Sequence, residues 1–131
     1  MNRWKDWWDQ SAKDLEVARV DARAGHFEWA AFAAQQAAEK ALEAVIMGHG
    51  GEPWGHLLTG LIDALPDETR APVEVRDAAR RLDKHYIPSR YPNGFASGFP
   101  GQLYTPGEAV GAIADAASVI DFSRGHLPRP G

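Results

Sequence analysis

From Trp4 onward, apolar residues recur at the step of an α-helix: Trp4, Trp8, Leu15, Ala18 and Ala22 form one stripe, and Gly25 supplies a C-terminal stop. A second helix is predicted from Phe27 to Met47, because AAFAAQQAAEKALEAVIM holds no Gly or Pro and is rich in the best helix former. Its alanines let neighbouring backbones approach on more than one side, which predicts a central position. A short third helix is expected from His56 to Leu65, between Gly55 and Pro66, with Leu57, Leu58, Leu61 and Leu65 as its buried stripe. The fourth begins near Pro72, a residue tolerated in a first turn, and carries Val75, Ala79, Leu82 and Tyr86 at helical spacing.

The pattern then breaks. Between Ile87 and Tyr104, Pro88, Pro92, Gly94, Gly98, Pro100 and Gly101 exclude a regular helix, leaving a loop of about eighteen residues whose aromatics, Tyr91, Phe95, Phe99 and Tyr104, should pack it onto the helices. A last helix is announced by Thr105-Pro106-Gly107-Glu108, an N-cap, a first-turn Pro and a capping-box Glu, with Val110, Ile113, Ala117 and Ile120 as its apolar face. No strand alternation or internal repeat interrupts this order. The fold expected is all-α, an antiparallel up-and-down four-helix bundle with a short extra helix, spanning residues 1–125 and followed by a flexible tail over 126–131.

Length and charge narrow the function. The 131 residues fit one domain. Cysteine is absent, so disulfides, thiolate metal sites and a Cys nucleophile are excluded. No apolar run is long enough to span a bilayer and the first residues lack a signal-peptide pattern, which predicts a cytoplasmic protein with no membrane association. A net charge of −4 argues against sequence-blind coating of nucleic acid. Locally, however, Arg76, Arg80, Arg81, Lys84 and Arg90 outnumber Asp77 and Asp83.

Several residues are candidates for chemistry. Gln36, Glu39 and Lys40 share one face of the second helix, where Lys40 can pair with Glu43, or Glu39 can receive a basic partner from the Arg80 to Arg90 region. Asn93 beside Gly94 reads as a turn residue, and His56 near a helix start reads as structural. Tyr86 and Tyr91 suit either packing or stacking on a base. Trp4, Trp7 and Trp8 cannot all face one core, since Trp7 and Trp8 diverge by about 100° around a helix. One of them is expected to meet another surface.

The QQAAEKAL run of the second helix, Asp14-Leu15 before it, His56-Leu57 opening the third helix, and LDKHYIPSRYPN from Leu82 to Asn93 together resemble the HEPN domain, over roughly Trp4 to Ile120. The resemblance implies a bundle that is commonly dimeric, with its polar site near the dimer interface. Some members resemble metal-independent ribonucleases, often toxins encoded beside a minimal nucleotidyltransferase. Others bind nucleotides, RNA or partner proteins. The nucleases carry an Arg and a His four to six residues apart, a pair able to hold the scissile phosphate and assist the ribose 2′-OH without a metal.

Arg80 and His85 meet that spacing; so do Arg19 and His26, which straddle the first interhelical turn and are set aside. Arg90 is the Arg of the RYPN motif but no His follows it at that spacing. The reading preferred is a homodimeric module that binds a nucleotide, RNA or a minimal nucleotidyltransferase, with Arg90, Tyr91, Asn93, Glu39 and Lys40 as its ligand-binding residues. It needs no cofactor and no metal. The alternatives are a ribonuclease toxin using Arg80 and His85, and a non-catalytic oligomerisation scaffold built on the Trp-rich first helix.

Overall fold

The structure is a computed structural model that describes residues 2–129. Its helices are α1 (Trp4–Arg23), α2 (Phe27–Gly48), α3 (Leu58–Asp63), α4 (Val73–Asp83), α5 (Pro100–Leu103) and α6 (Pro106–Arg124). The bundle is formed by α1, α2, α4 and α6, with α3 as the short extra helix. Gly25 turns the chain between α1 and α2 at φ +86°, a conformation that a side chain would strain.

Alanine composition places α2 at the centre. Ala30, Ala31, Ala34, Ala37, Ala38, Ala41 and Ala44 are all fully buried, and α2 lies chiefly against α1 on one side and α6 on the other. The approach to α1 is close enough for the buried Ser11 hydroxyl to donate to Ala37 O at 2.8 Å. Larger apolar groups fill the remaining core, among them Leu42, Val45, Leu58, Leu61, Leu82 and Val119.

The boundaries differ from expectation where long-range contacts set them. Helix α3 starts at Leu58 rather than His56, and Leu57 is exposed rather than part of the buried stripe. Leu57 stands at the N-cap position but has no side-chain acceptor. Asp83, at the end of α4, supplies one from a distance, accepting from Leu58 N at 2.6 Å, from Thr59 N at 3.3 Å and from the Thr59 hydroxyl at 2.8 Å. Helix α4 itself ends at Asp83, and the chain continues to Arg90 as successive turns that hold Tyr86.

The long loop holds a 3₁₀ turn (Pro92–Gly94) and the single helical turn α5, so the exclusion of helix there needs correction: Pro100 occupies a first-turn position, where its missing N–H is no loss. Phe95 and Tyr104 pack inward with their rings edge-on at 6.3 Å, while Tyr91 and Phe99 stay exposed. The Thr105–Glu108 capping box is present as predicted. The inward face of α6, however, is Ala109, Ala112, Ala116, Val119, Ile120 and Ser123; Val110 is 65% exposed and Ala117 lies at the margin. Lying against both α2 and α4, α6 turns its small residues inward, because small side chains permit the closest approach.

Of the C-terminal residues, Leu127 packs against the core, His126 O lies 2.8 Å from His49 Nε2, and the Pro128 ring covers Gly48, where an added Cβ would stand 2.5 Å from it. Pro130 and Gly131, the end of the expected tail, lie outside the described residues.

Because Asp83 satisfies two first-turn N–H groups of α3, Asp83→Ala should lower the unfolding free energy by about 1–3 kcal/mol in urea denaturation. Thr59→Val, which removes only the hydroxyl contact, should cost less. Equal losses for the two would mean that the backbone bonds to Asp83 contribute nothing.

Candidate functional site

Helix α2 is buried on most sides, yet it carries five polar residues in two adjoining rows, Gln35, Gln36, Glu39, Lys40 and Glu43. Burial obliges them to find partners. Lys40 donates to Asp14 Oδ2 on α1 at 2.6 Å and to Gln36 Oε1 at 3.4 Å; Gln36 Nε2 donates to Gln35 Oε1 at 2.7 Å; Gln35 Nε2 donates to Glu39 Oε1 and to His56 O, both at 3.2 Å. Glu39 Oε2 lies 3.4 Å from His56 Nδ1. The result is one continuous polar seam from Asp14 to His56.

Both expected pairings on this face are therefore replaced. Lys40 reaches across to α1 rather than to Glu43, and the basic neighbour of Glu39 is His56, from the segment before α3, rather than a residue of the Arg80 to Arg90 region. Glu43 is held in another state. Desolvation first, then the Glu39 charge and a hydrogen bond to Glu39, push its carboxyl up to about 8, against the opposing pull of Lys40. It is a neutral acid at pH 7, and its Oε1 has no partner among the described residues.

The seam leads to Arg90. The His56 ring stacks on Tyr86 with centroids 5.1 Å apart and planes 14° from parallel. Tyr86 in turn lies 6.4 Å from Phe32 of α2. The Arg90 guanidinium sits over Phe32 at 4.3 Å, Tyr86 at 4.8 Å and Tyr91 at 5.2 Å, and its Nε donates to Tyr86 O at 3.0 Å. Three ring faces hold the cation, and no carboxylate pairs with it among the described residues. The turn that presents it is tied by the Ser89 hydroxyl, which donates to His85 O.

Arg80 and His85 are not brought together. Arg80 is exposed on α4, 3.4 Å from Asp77, beside Thr59, Asp63 and Arg76. His85 lies in the turns after α4, half-buried, with Nδ1 2.8 Å from Tyr104 Oη. Desolvation lowers its pKa despite the Glu108 and Asp115 charges, so the ring is neutral at pH 7; burial likewise pushes the Tyr104 hydroxyl up to about 12. Of the surrounding basic residues, Arg81 forms a two-pronged pair with Asp115 on α6, at 2.9 Å for each prong. Asn93 is exposed within the 3₁₀ turn. Arg19 and His26 are both exposed, on α1 and in the turn before α2. Among the described residues no cluster of three His, Asp or Glu is placed to hold a metal, and no helix is long and apolar enough to cross a membrane.

Residues 4–126 match the HEPN domain family. The chain belongs to the HEPN family. It is similar over 97% of its length to TT1696 of Thermus thermophilus, at 38% identity and a TM-score of 0.94, covering all of that chain. It is similar over 98% of its length to ST0689, described as an archaeal HEPN homologue, at 35% identity and a TM-score of 0.83, again covering all of that chain. A curated relative from Methanocaldococcus jannaschii, "Putative toxin MJ1304", is 24% identical over 127 residues, which cover 90% of this chain and 84% of that one.

Two of the stretches that carry the HEPN resemblance in the sequence form most of this site: QQAAEKAL supplies the seam and YIPSRYPN supplies the Arg90 corner. Sequence reasoning missed Gln35, Phe32 and the function of His56 as a link between them. The available signal was a Gln in an Ala-rich helix predicted to be central, since a polar residue there must meet a partner. Adjacency of His56 to Tyr86 has no local signature.

The raised Glu43 pKa carries a linkage consequence. Between its ordinary carboxylate range and about pH 8 the unfolded chain releases this proton while the folded chain keeps it, so folding loses stability as pH rises through that window. Glu43→Gln, which keeps the shape and removes the ionisation, should therefore melt a few degrees above wild type at pH 8.5 and close to it at pH 5. An equal difference at both pH values would rule out the buried acid.

Proposed function

We propose that this HEPN protein is a homodimeric binding module that recognises the phosphate of a nucleotide or RNA through Arg90, in a toxin–antitoxin-type setting with a minimal nucleotidyltransferase as its protein partner. The observation that carries the reading is the Arg90 guanidinium itself. It is fixed in place by three aromatic faces and by Tyr86 O, and is left without a carboxylate among the described residues. With Nε committed, its two terminal nitrogens have the planar fork that suits a phosphate. Exposed Tyr91 adds a ring face on which a base can stack. A HEPN relative named as a toxin supports the setting.

Binding is better supported than cleavage. A ribonuclease of the Arg-and-His type needs both groups on one phosphate, whereas Arg80 and His85 face different surroundings and His85 spends a ring nitrogen on Tyr104. Glu39 and Lys40 belong to this reading as supports of the seam behind the site, and Asn93 as the exposed rim of its loop. Homodimer formation is supported by an open groove of about 410 Å³ where Trp7 meets Met47 and Pro53, and by Trp7 being 37% exposed. Trp8, by contrast, packs against the core.

In fluorescence anisotropy with a labelled RNA oligomer in EDTA, Arg90→Ala should weaken binding roughly tenfold to a hundredfold, the loss of charge-assisted bonds, while wild type leaves the RNA intact. Cleavage of that RNA, abolished in His85→Ala, would replace this reading with the ribonuclease one. Failure of wild type to bind either RNA or a mononucleotide would end it.

Sedimentation should give wild type twice the chain mass and shift Trp7→Glu towards one chain mass. A folded wild-type monomer would remove the dimer.

A further inference from the structure

One exposed residue packs on the same Tyr86 ring as Arg90 and is held by two side-chain contacts and one backbone hydrogen bond. The His56 side chain is 61% exposed, a setting in which an imidazole ordinarily samples several rotamers. Here its backbone carbonyl accepts from Gln35 Nε2 at 3.2 Å, its Nδ1 lies 3.4 Å from Glu39 Oε2, and its ring lies on Tyr86 at 5.1 Å and 14°. Gln35 and Glu39 are themselves buried, so the clamp is anchored in the core of the bundle rather than on its surface. The fold does not account for this expenditure of buried polar groups: α3 begins two residues later, under Asp83, and His56 caps nothing. The ring that carries His56 also carries Arg90, whose guanidinium carbon lies 4.8 Å from the Tyr86 centroid.

We infer that His56 is the second ligand-contacting residue of the Arg90 site, and that the ligand is a phosphate ester held by the Arg90 guanidinium together with His56 Nε2. The inference rests on the function proposed above and adds a second group to the site. With Nδ1 facing Glu39 at 3.4 Å, Nε2 is the ring nitrogen left for a ligand. An N–H at Nε2 can donate to a phosphate oxygen, while Glu39 at Nδ1 fixes the ring's orientation. The ester can come from a mononucleotide or from an RNA chain, and the two sources are separable.

The test measures binding of adenosine 5′-monophosphate and of an RNA octamer lacking terminal phosphates to wild type, His56→Asn, His56→Gln and Arg90→Ala. Asn retains an atom near Nδ1 but has nothing at the distal position, whereas the Gln amide nitrogen reaches where Nε2 stood. His56→Asn should therefore weaken binding about tenfold or more, and His56→Gln clearly less. The His56 ring resonances of wild type should shift on titration with whichever probe binds. Binding of the monophosphate alone identifies a nucleotide and binding of the octamer an internal diester; with either probe, the loss in His56→Asn together with the ring shift supports the inference.

If Arg90→Ala loses affinity while both His56 variants bind as wild type does, and the ring resonances stay still, His56 only packs and the inference falls alone. If wild type binds neither probe, the function proposed above falls with it. Should His56→Asn fail to fold, the wild-type ring resonances decide: a shift supports the contact and no shift overturns it.

Discussion

Everything in this bundle follows from how closely α1 and α6 approach α2. Seven fully buried alanines keep the α2 surface thin, so its neighbours lie against its backbone. Ser11 can bond Ala37 O only at such a separation. Close approach removes water from the faces of α2 and strips hydration from whatever polar groups it carries there. Gln35, Glu39 and Glu43 are consequently committed to protein partners or to neutrality, since a buried charge without a partner is far costlier than a buried amide. Gln35 satisfies itself three times over, with Gln36, Glu39 and His56 O.

The same constraint separates two carboxyls that are one helical turn apart. Glu39 has an amide donor and an imidazole within reach, whereas Glu43 has the Glu39 charge beside it and an oxygen with no partner among the described residues. Glu43 keeps its proton well above the ordinary carboxylate range, because its carboxyl is desolvated and lies beside the Glu39 charge. Lys40 adjoins Glu39 in sequence and precedes Glu43 by three residues, but directs its ammonium to Asp14. At the His56 end of the seam it is the Glu39 carboxyl that meets the imidazole, at 3.4 Å.

How much of this was legible in the sequence depends on the range of the contact that decides each feature. Helices α1, α2 and the start of α6 were legible because their signals are local: a 3.6-residue stripe ended by Gly25, an Ala-rich run, and Thr105 with Glu108 three residues later. The start of α3 was not, because Asp83, 24 and 25 residues away, fixes it. The buried face of α6 was misjudged by weighing bulk, taking Val110 for core when alanines make the contact. The HEPN motifs located the site region and singled out Arg90. The spacing of Arg80 and His85 was a poor guide to their proximity, since α4 ends between them and the turn carries His85 away towards Tyr104. Glu39 with His56 is a contact across 17 residues of chain, visible only once α2 and the segment before α3 lie side by side.

His85 acquires a different meaning from this arrangement. Arg90 owes its position to the turns after α4, and those turns are fastened at two points: Ser89 to His85 O, and the His85 ring to Tyr104, just ahead of α6. Its neutral, half-buried ring thus transmits the placement of α6 to the turn that aims Arg90. A loss of binding on substituting His85 would follow from slackening that turn as readily as from removing a proton carrier, so the two are separated by RNA cleavage rather than by affinity. The long Pro- and Gly-rich loop then has a mechanical task. By packing Phe95 and Tyr104 inward, it brings the Tyr104 hydroxyl to His85 and leaves Tyr91 outside, beside the guanidinium it helps to hold.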